Sequence, residues 1–224
     1  MNEEAFLSTI ATRLKRHKPL AQAPVRTSQG APEFWRHMES ELNTPDAIET
    51  FKEQLEMLGG QVHVLQESSQ LQPVLVDVLN NFAVHRIGVW NDAFVAKYGL
   101  DQVLQPYETI VWEKSGVEQY QSVDVSLSGC AYAIADTGTI VMMSSAERGR
   151  SVALLPTIHI VIVHASQIYH RLGQVMQQLS AIHDTLPSSV HFISGPSRSS
   201  DIENDQTIGI HGPAAVIAII LGDC

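Results

Sequence analysis

The densest group of chemically capable side chains is the segment Ile193-Ser194-Gly195-Pro196-Ser197-Arg198-Ser199-Ser200-Asp201-Ile202-Glu203. It follows a short apolar run, and Gly195-Pro196 turns the chain. Ser200 to Glu203 has the S-x-x-E form of a capping box, which predicts the start of a helical turn. A helix N-terminus offers free backbone N–H groups and partial positive charge. Ser194, Ser197 and Ser199 add hydroxyls beside it. Arg198 can grip a carboxylate or phosphate with two hydrogen bonds. The sum is an anion pocket that includes Gly195 and Asp201. The same residues would equally make a serine-rich surface turn, with Arg198 paired to Asp201 or Glu203.

Two further segments carry candidate chemistry. In Ala133-Ile134-Ala135-Asp136-Thr137-Gly138-Thr139 the small residues allow close backbone approach. Asp136, Thr137 and Thr139 could meet a substrate hydroxyl or a metal–phosphate group, with Asp136 the catalytic candidate. A turn closed by an Asx-type hydrogen bond fits the segment as well. In Gly209-Ile210-His211-Gly212-Pro213, His211 is a second acid–base candidate; a tight solvated turn is the other reading. Arg148 and Arg150 add positive charge that either extends the anion site or pairs with Glu147 and other surface acids.

These segments need elements to position them. Residues 61–66 (QVHVLQ) alternate as a strand should, and short apolar, β-branched runs then recur at 84–90, 109–112, 123–127, 139–143, 159–163, 191–193 and 216–221, with polar or helical spacers between. Buried runs without clean alternation, separated by helices, predict an α/β fold with a mainly parallel sheet in a three-layer sandwich. In such folds ligands sit at the carboxyl ends of strands. Thr44-Pro45 opens a helix carrying Ile48, Phe51, Leu55 and Leu58, which Gly59-Gly60 ends. A second helix is expected over 167–182. Residues 1–32 read as an arm, an amphipathic helix with Phe6, Leu7, Ile10 and Leu14 on one face and then a proline-containing linker, or equally as a helix packed on its own domain. Residues 33–224 form the α/β domain.

Composition removes several function classes. The chain has 224 residues, 44% of them hydrophobic, and a net charge of −10. An acidic protein of this kind is a poor partner for nucleic acid or an anionic membrane surface. The longest apolar run, 214–221, is short of the roughly 20 residues that cross a bilayer. Two cysteines, Cys130 and Cys224, cannot hold an iron–sulfur cluster or a cysteine-rich zinc site, and they fit a reducing cytosol. No G-x-G-x-x-G, GxxxxGK[ST], HExxH or G-x-S-x-G motif occurs.

ISGPSRSSDIE followed by GIHGP, with AIADTGTIVM and RSVALLPTIHIVIV upstream, resembles the LutC/YkgG family of LUD-domain proteins, involved in lactate utilisation. The likeness runs over roughly residues 45–221. The family pattern has Thr-Ala where Ser199-Ser200 stand and Glu at Asp136, an acid one methylene longer. The resemblance implies a fold like that of the NagB/RpiA/CoA-transferase group. It implies a role in oxidising L-lactate to pyruvate beside two partners, an iron–sulfur LUD-domain protein and a cysteine-rich reductase-like subunit. Any electron carrier would reside in those partners, while this chain would hold a small carboxylate or a phosphate-bearing ligand. An independent nucleotide- or CoA-dependent enzyme of the same fold is the alternative. A non-catalytic assembly factor docked through the N-terminal helix is another.

Overall fold

The computed structural model describes residues 3–18, 44–200 and 206–222. The chain divides into two compact units, residues 1–41 and 42–224. In the first, α1 (Glu3–Arg13) leaves Phe6, Leu7 and Ile10 exposed, with Leu14 exposed just beyond its end. The expected proline-containing linker lies outside the described residues.

The second unit is built on six strands: β1 (Gln61–Leu65), β2 (Arg86–Val89), β3 (Glu108–Val111), β4 (Val125–Gly129), β7 (Ile158–His164) and β12 (Ala215–Leu221). They form one sheet in the order β1-β12-β7-β4-β2-β3, and every neighbouring pair is parallel. The apolar runs explain this. β4, β7 and β12 are buried along almost their whole length, as strands covered on both faces must be. Among the helices are α2 (Thr44–Met57), α3 (Leu71–Asn80), α4 (Asp92–Tyr98), α5 (Asp101–Leu104), α6 (Val117–Tyr120) and α7 (Leu172–Ala181). The amphipathic pattern in α2 buries Ala47, Phe51 and Leu55.

Two expectations are corrected. The runs at 139–143 and 191–193 do not join the parallel sheet. They become β6 (Thr139–Met143) and β9 (Val190–Ile193) of a second sheet, β8-β5-β6-β9, with β5 (Tyr132–Ile134) and β8 (Ile168–Tyr169). The 3₁₀ turn Ala135–Thr137, closed by Gly138 at φ +55°, reverses the chain, so β5 and β6 pair antiparallel. The helix expected over 167–182 starts later. Ile168 and Tyr169 pair with β5, and only after Arg171, whose N–H donates to Gln174 Oε1 at 3.0 Å, does α7 begin. The helical turn expected to start at Ser200 lies outside the described residues. β10 (Arg198–Ser200) pairs antiparallel with β11 (Gln206–Ile208), and residues 201–205 between them are not described.

Polar side chains buried in the middle of the sheet include Ser126 and Ser128 on β4 and His159 on β7. Ser128 on β4 and His159 on β7 are fully buried, and Ser128 Oγ lies 2.8 Å from His159 Nε2. Burial lowers the His159 pKa to about 4. The unfolded chain takes up this proton near pH 6.5, about the free value, whereas the folded chain excludes it down to about pH 4. Stability therefore falls as pH drops through that window, by roughly 3 kcal/mol in full. Urea unfolding at pH 7, 5.5 and 4.5 should show this slope, and His159→Gln, which keeps a hydrogen-bonding group without titrating, should flatten it.

Candidate functional site

The motif loops gather under the last turn of α2. Gly59 is left-handed at φ +85°. Gly60 N–H donates to Leu55 O at 2.9 Å, and Gly59 N–H to Glu56 O at 2.9 Å, the two bonds of a Schellman ending. The carbonyl of Leu58 is left over, and the Arg198 guanidinium donates to it. A cation here also meets the negative end of the helix dipole. Two glycines let the loops come this close. A Cβ on Gly138 would lie 2.4 Å from Leu55 N, and one on Gly195, at φ +85°, 3.0 Å from Leu58 O.

The loops are also tied to one another. Thr139 Oγ1 bonds both Thr137 Oγ1, at 2.7 Å, and Ser194 Oγ, at 2.8 Å. Ser197 N–H donates to Pro213 O at 2.8 Å, and Gly209 N–H to Ser197 O at 2.9 Å, pinning the SGPSR segment to GIHGP. Ser199 lies half-buried in β10, His211 is exposed, and Asp201 falls outside the described residues. Asp136 reaches the surface, yet partial burial of its carboxyl raises its pKa against the opposing pull of Arg171 and His170.

A second locus forms where strand order reverses. After β2 the chain moves outward to β3, whereas after β4 it moves the other way, to β7 and β12. The carboxyl ends of β2 and β4 thus border a crevice, the usual ligand position in open α/β sheets. Its volume is about 340 Å³, near the low end of the roughly 300–1,000 Å³ of small-molecule sites. The lining includes Trp90, Lys97, Tyr98, Cys130, Arg148 and His164. Of the residues expected from the sequence, only Arg148 is among them. Its guanidinium lies 5.1 Å above the Trp90 ring, a cation–π contact. Arg150 instead opens the 3₁₀ turn Arg150–Ala153.

The crevice wall is aromatic and hydrogen-bonded. Trp90, Phe94 and Tyr98 pack edge to face, and Tyr98 stacks on His164. His164 Nε2 lies 2.8 Å from Tyr98 Oη and 3.4 Å from Lys97 Nζ. Gln167 Oε1 accepts from His164 N–H at 2.9 Å, and Gln167 Nε2 donates to Cys130 O at 2.8 Å. Burial pushes the Cys130 thiol up to about 12, so it is no nucleophile at neutral pH. A larger hollow of about 520 Å³ lies along edge strand β3. Its cations are already paired, Arg86 with Glu108 and Lys114 with Asp92. The crevice is therefore the better candidate.

A sequence profile of the LUD domain matches residues 48–221. The chain belongs to the LUD-domain family. Lactate utilization protein C of Halalkalibacterium halodurans is 30% identical, with 98% of this chain and 97% of that protein covered. The protein of the same name from Bacillus licheniformis is 31% identical over 99% and 97%, and that from Bacillus subtilis 30% over 99% and 97%. A crystal structure of a DUF162-family protein from Deinococcus radiodurans has the same fold, with a TM-score of 0.60 at 22% identity over 81% of this chain and 99% of that one.

In this LUD domain the signature loops hold α2, and the crevice residues come from separate strand ends. Sequence reasoning did not mark Trp90, Lys97, Tyr98, Cys130, His164 and Gln167 as candidates because no short motif joins them. The usable signal was position, since each follows or faces the carboxyl end of an apolar run. The seat of α2 is testable. Gly138→Ala adds a left-handed strain and a backbone clash, together worth roughly 2–5 kcal/mol. Gly173→Ala, in open space within α7, should stabilise by about 0.4–1 kcal/mol. Arg198→Ala should cost about 1 kcal/mol, an exposed charged hydrogen bond. Thermal denaturation of the three variants would check the order, and an unaffected Gly138→Ala would contradict the close contact.

Proposed function

We propose that this chain is a subunit of a system that oxidises L-lactate to pyruvate, and that it holds a small carboxylate or phosphate-bearing ligand in the crevice at the ends of β2, β4 and β7. The observation that carries the reading is the likeness, over nearly the whole length of both chains, to proteins named lactate utilization protein C. The proposed partners are an iron–sulfur LUD-domain protein and a cysteine-rich reductase-like subunit, in the cytoplasm. Electron carriers would sit in those partners. This chain brings two cysteines, and among its described residues no group of three or more His, Cys, Asp or Glu could hold a metal ion.

The charge of the crevice supports an anionic ligand. Lys97 and Arg148 line it against one carboxylate, Glu147. Arg148 has no ion pair among the described residues, so its fork is available for a bidentate contact. L-lactate-dependent dye reduction by the two partner subunits, with and without this chain, tests the reading. Activity should require the chain, and Arg148→Ala should lower it at least tenfold with an unchanged melting temperature. Equal activity without the chain would remove it as a working subunit.

A further inference from the structure

The hydrogen-bond directions around His164 determine what the crevice can recognise. The 3₁₀ turn Ala165–Gln167 is closed reciprocally: the backbone N–H of Gln167 donates to the His164 imidazole, and Gln167 Oε1 accepts from the backbone N–H of His164. Gln167 Nε2 donates to Cys130 O. An imidazole that receives an N–H on one nitrogen carries its own proton on the other. Nε2, the nitrogen 2.8 Å from Tyr98 Oη, is then the donor, and the phenol oxygen accepts. The phenol's proton is left for a third group. Lys97 Nζ, 3.4 Å from the same Nε2, meets a donor there rather than an acceptor. It lies 4.9 Å over the Tyr98 ring.

The acceptors along the wall are mostly occupied. Asn91 Oδ1 accepts from Phe94 N–H at 2.8 Å, capping α4, and Gln167 Oε1 is taken as above. We propose that Tyr98 is a specificity-determining residue. Held as a donor by His164 and Gln167, it joins Lys97 and Arg148 in a wall of donors that selects a negatively charged acceptor group over a neutral isostere. A carboxylate and a phosphoryl group share this chemistry. The proposal rests on the crevice being the ligand site of the functional reading.

Isothermal titration of the full chain with L-lactate, L-lactamide and inorganic phosphate separates the outcomes. L-lactate or phosphate should bind, and which of them does so identifies the source of the anion. L-lactamide should bind at least tenfold more weakly than the anion. Tyr98→Phe keeps the ring against Phe94 and His164 and should weaken the anion at least fivefold, with a melting temperature lowered only by the loss of the one hydrogen bond to His164. Lys97→Ala provides a second variant with the same expected direction. Equal binding of L-lactamide, an unaltered affinity in Tyr98→Phe, or no binding of either anion would overturn the proposal. Loss of the dye-reduction requirement with anion binding intact would overturn the functional reading alone.

Discussion

The close approach of α2 to the loops below it is the contact on which much of the domain depends. An α-helix normally keeps its neighbours at the distance of its side chains. Here the backbone at Gln54 and Leu55 lies against Gly138, and the Cβ and carbonyl of Leu58 against Gly195, with no glycine Cβ to hold them apart. The helix must then stop at that point, which the left-handed Gly59 achieves, and its last free carbonyl must find a donor, which Arg198 supplies. Gly138 belongs to the β5–β6 turn and Gly195 follows β9, both in the second sheet. The chain leaving α2 becomes β1 at the edge of the central sheet. One helix end thus joins the two sheets, and three motif segments serve it together.

The central sheet makes the other half of the molecule possible. Its strands carry apolar side chains on both faces, so helices and loops must cover both, and all pairs run parallel. Chain order then leaves one reversal, between β2 and β4. Loops leaving these two strands part in opposite directions and cannot cover each other. The crevice between them is a consequence of topology. The aromatic run Trp90, Phe94 and Tyr98 fills the space with stiff rings and holds its rim open. His159 and Ser128, buried on neighbouring strands, show that the same sheet tolerates a polar pair when at least one nitrogen is hydrogen-bonded.

Much of this was legible in the sequence. Apolar runs mark the inner strands β2, β4, β7 and β12 because burial on both faces leaves a local trace. The Pro45 start and the Gly59-Gly60 stop mark α2 for the same reason. Pairing direction leaves no such trace. The run 139–143 has the look of a parallel strand, and only the left-handed turn at Gly138 makes it half of an antiparallel hairpin. The Arg198 contact was invisible too. The arginine lies in a serine-rich loop that resembles an anion site, while its partner carbonyl is 140 residues away. His164 ends an apolar run, yet nothing local shows that Tyr98 will stack on it.

The signature loops and the crevice are therefore separate places in this protein. The SGPSR, GIHGP and ADTG segments are held by backbone bonds, close glycines and a helix carbonyl, contacts that specify how the chain folds. The crevice draws on side chains from loops after β2, β4 and β7 and from α4, each placed by the fold and free to vary in type. A likeness in the signature transfers the architecture, and with it the existence of a crevice at the β2–β4 reversal. Which ligand enters depends on the groups along the wall. In this chain those groups are Lys97, Tyr98 and Arg148, with Glu147 the one carboxylate among the lining residues, and the proposed anion binding rests on them.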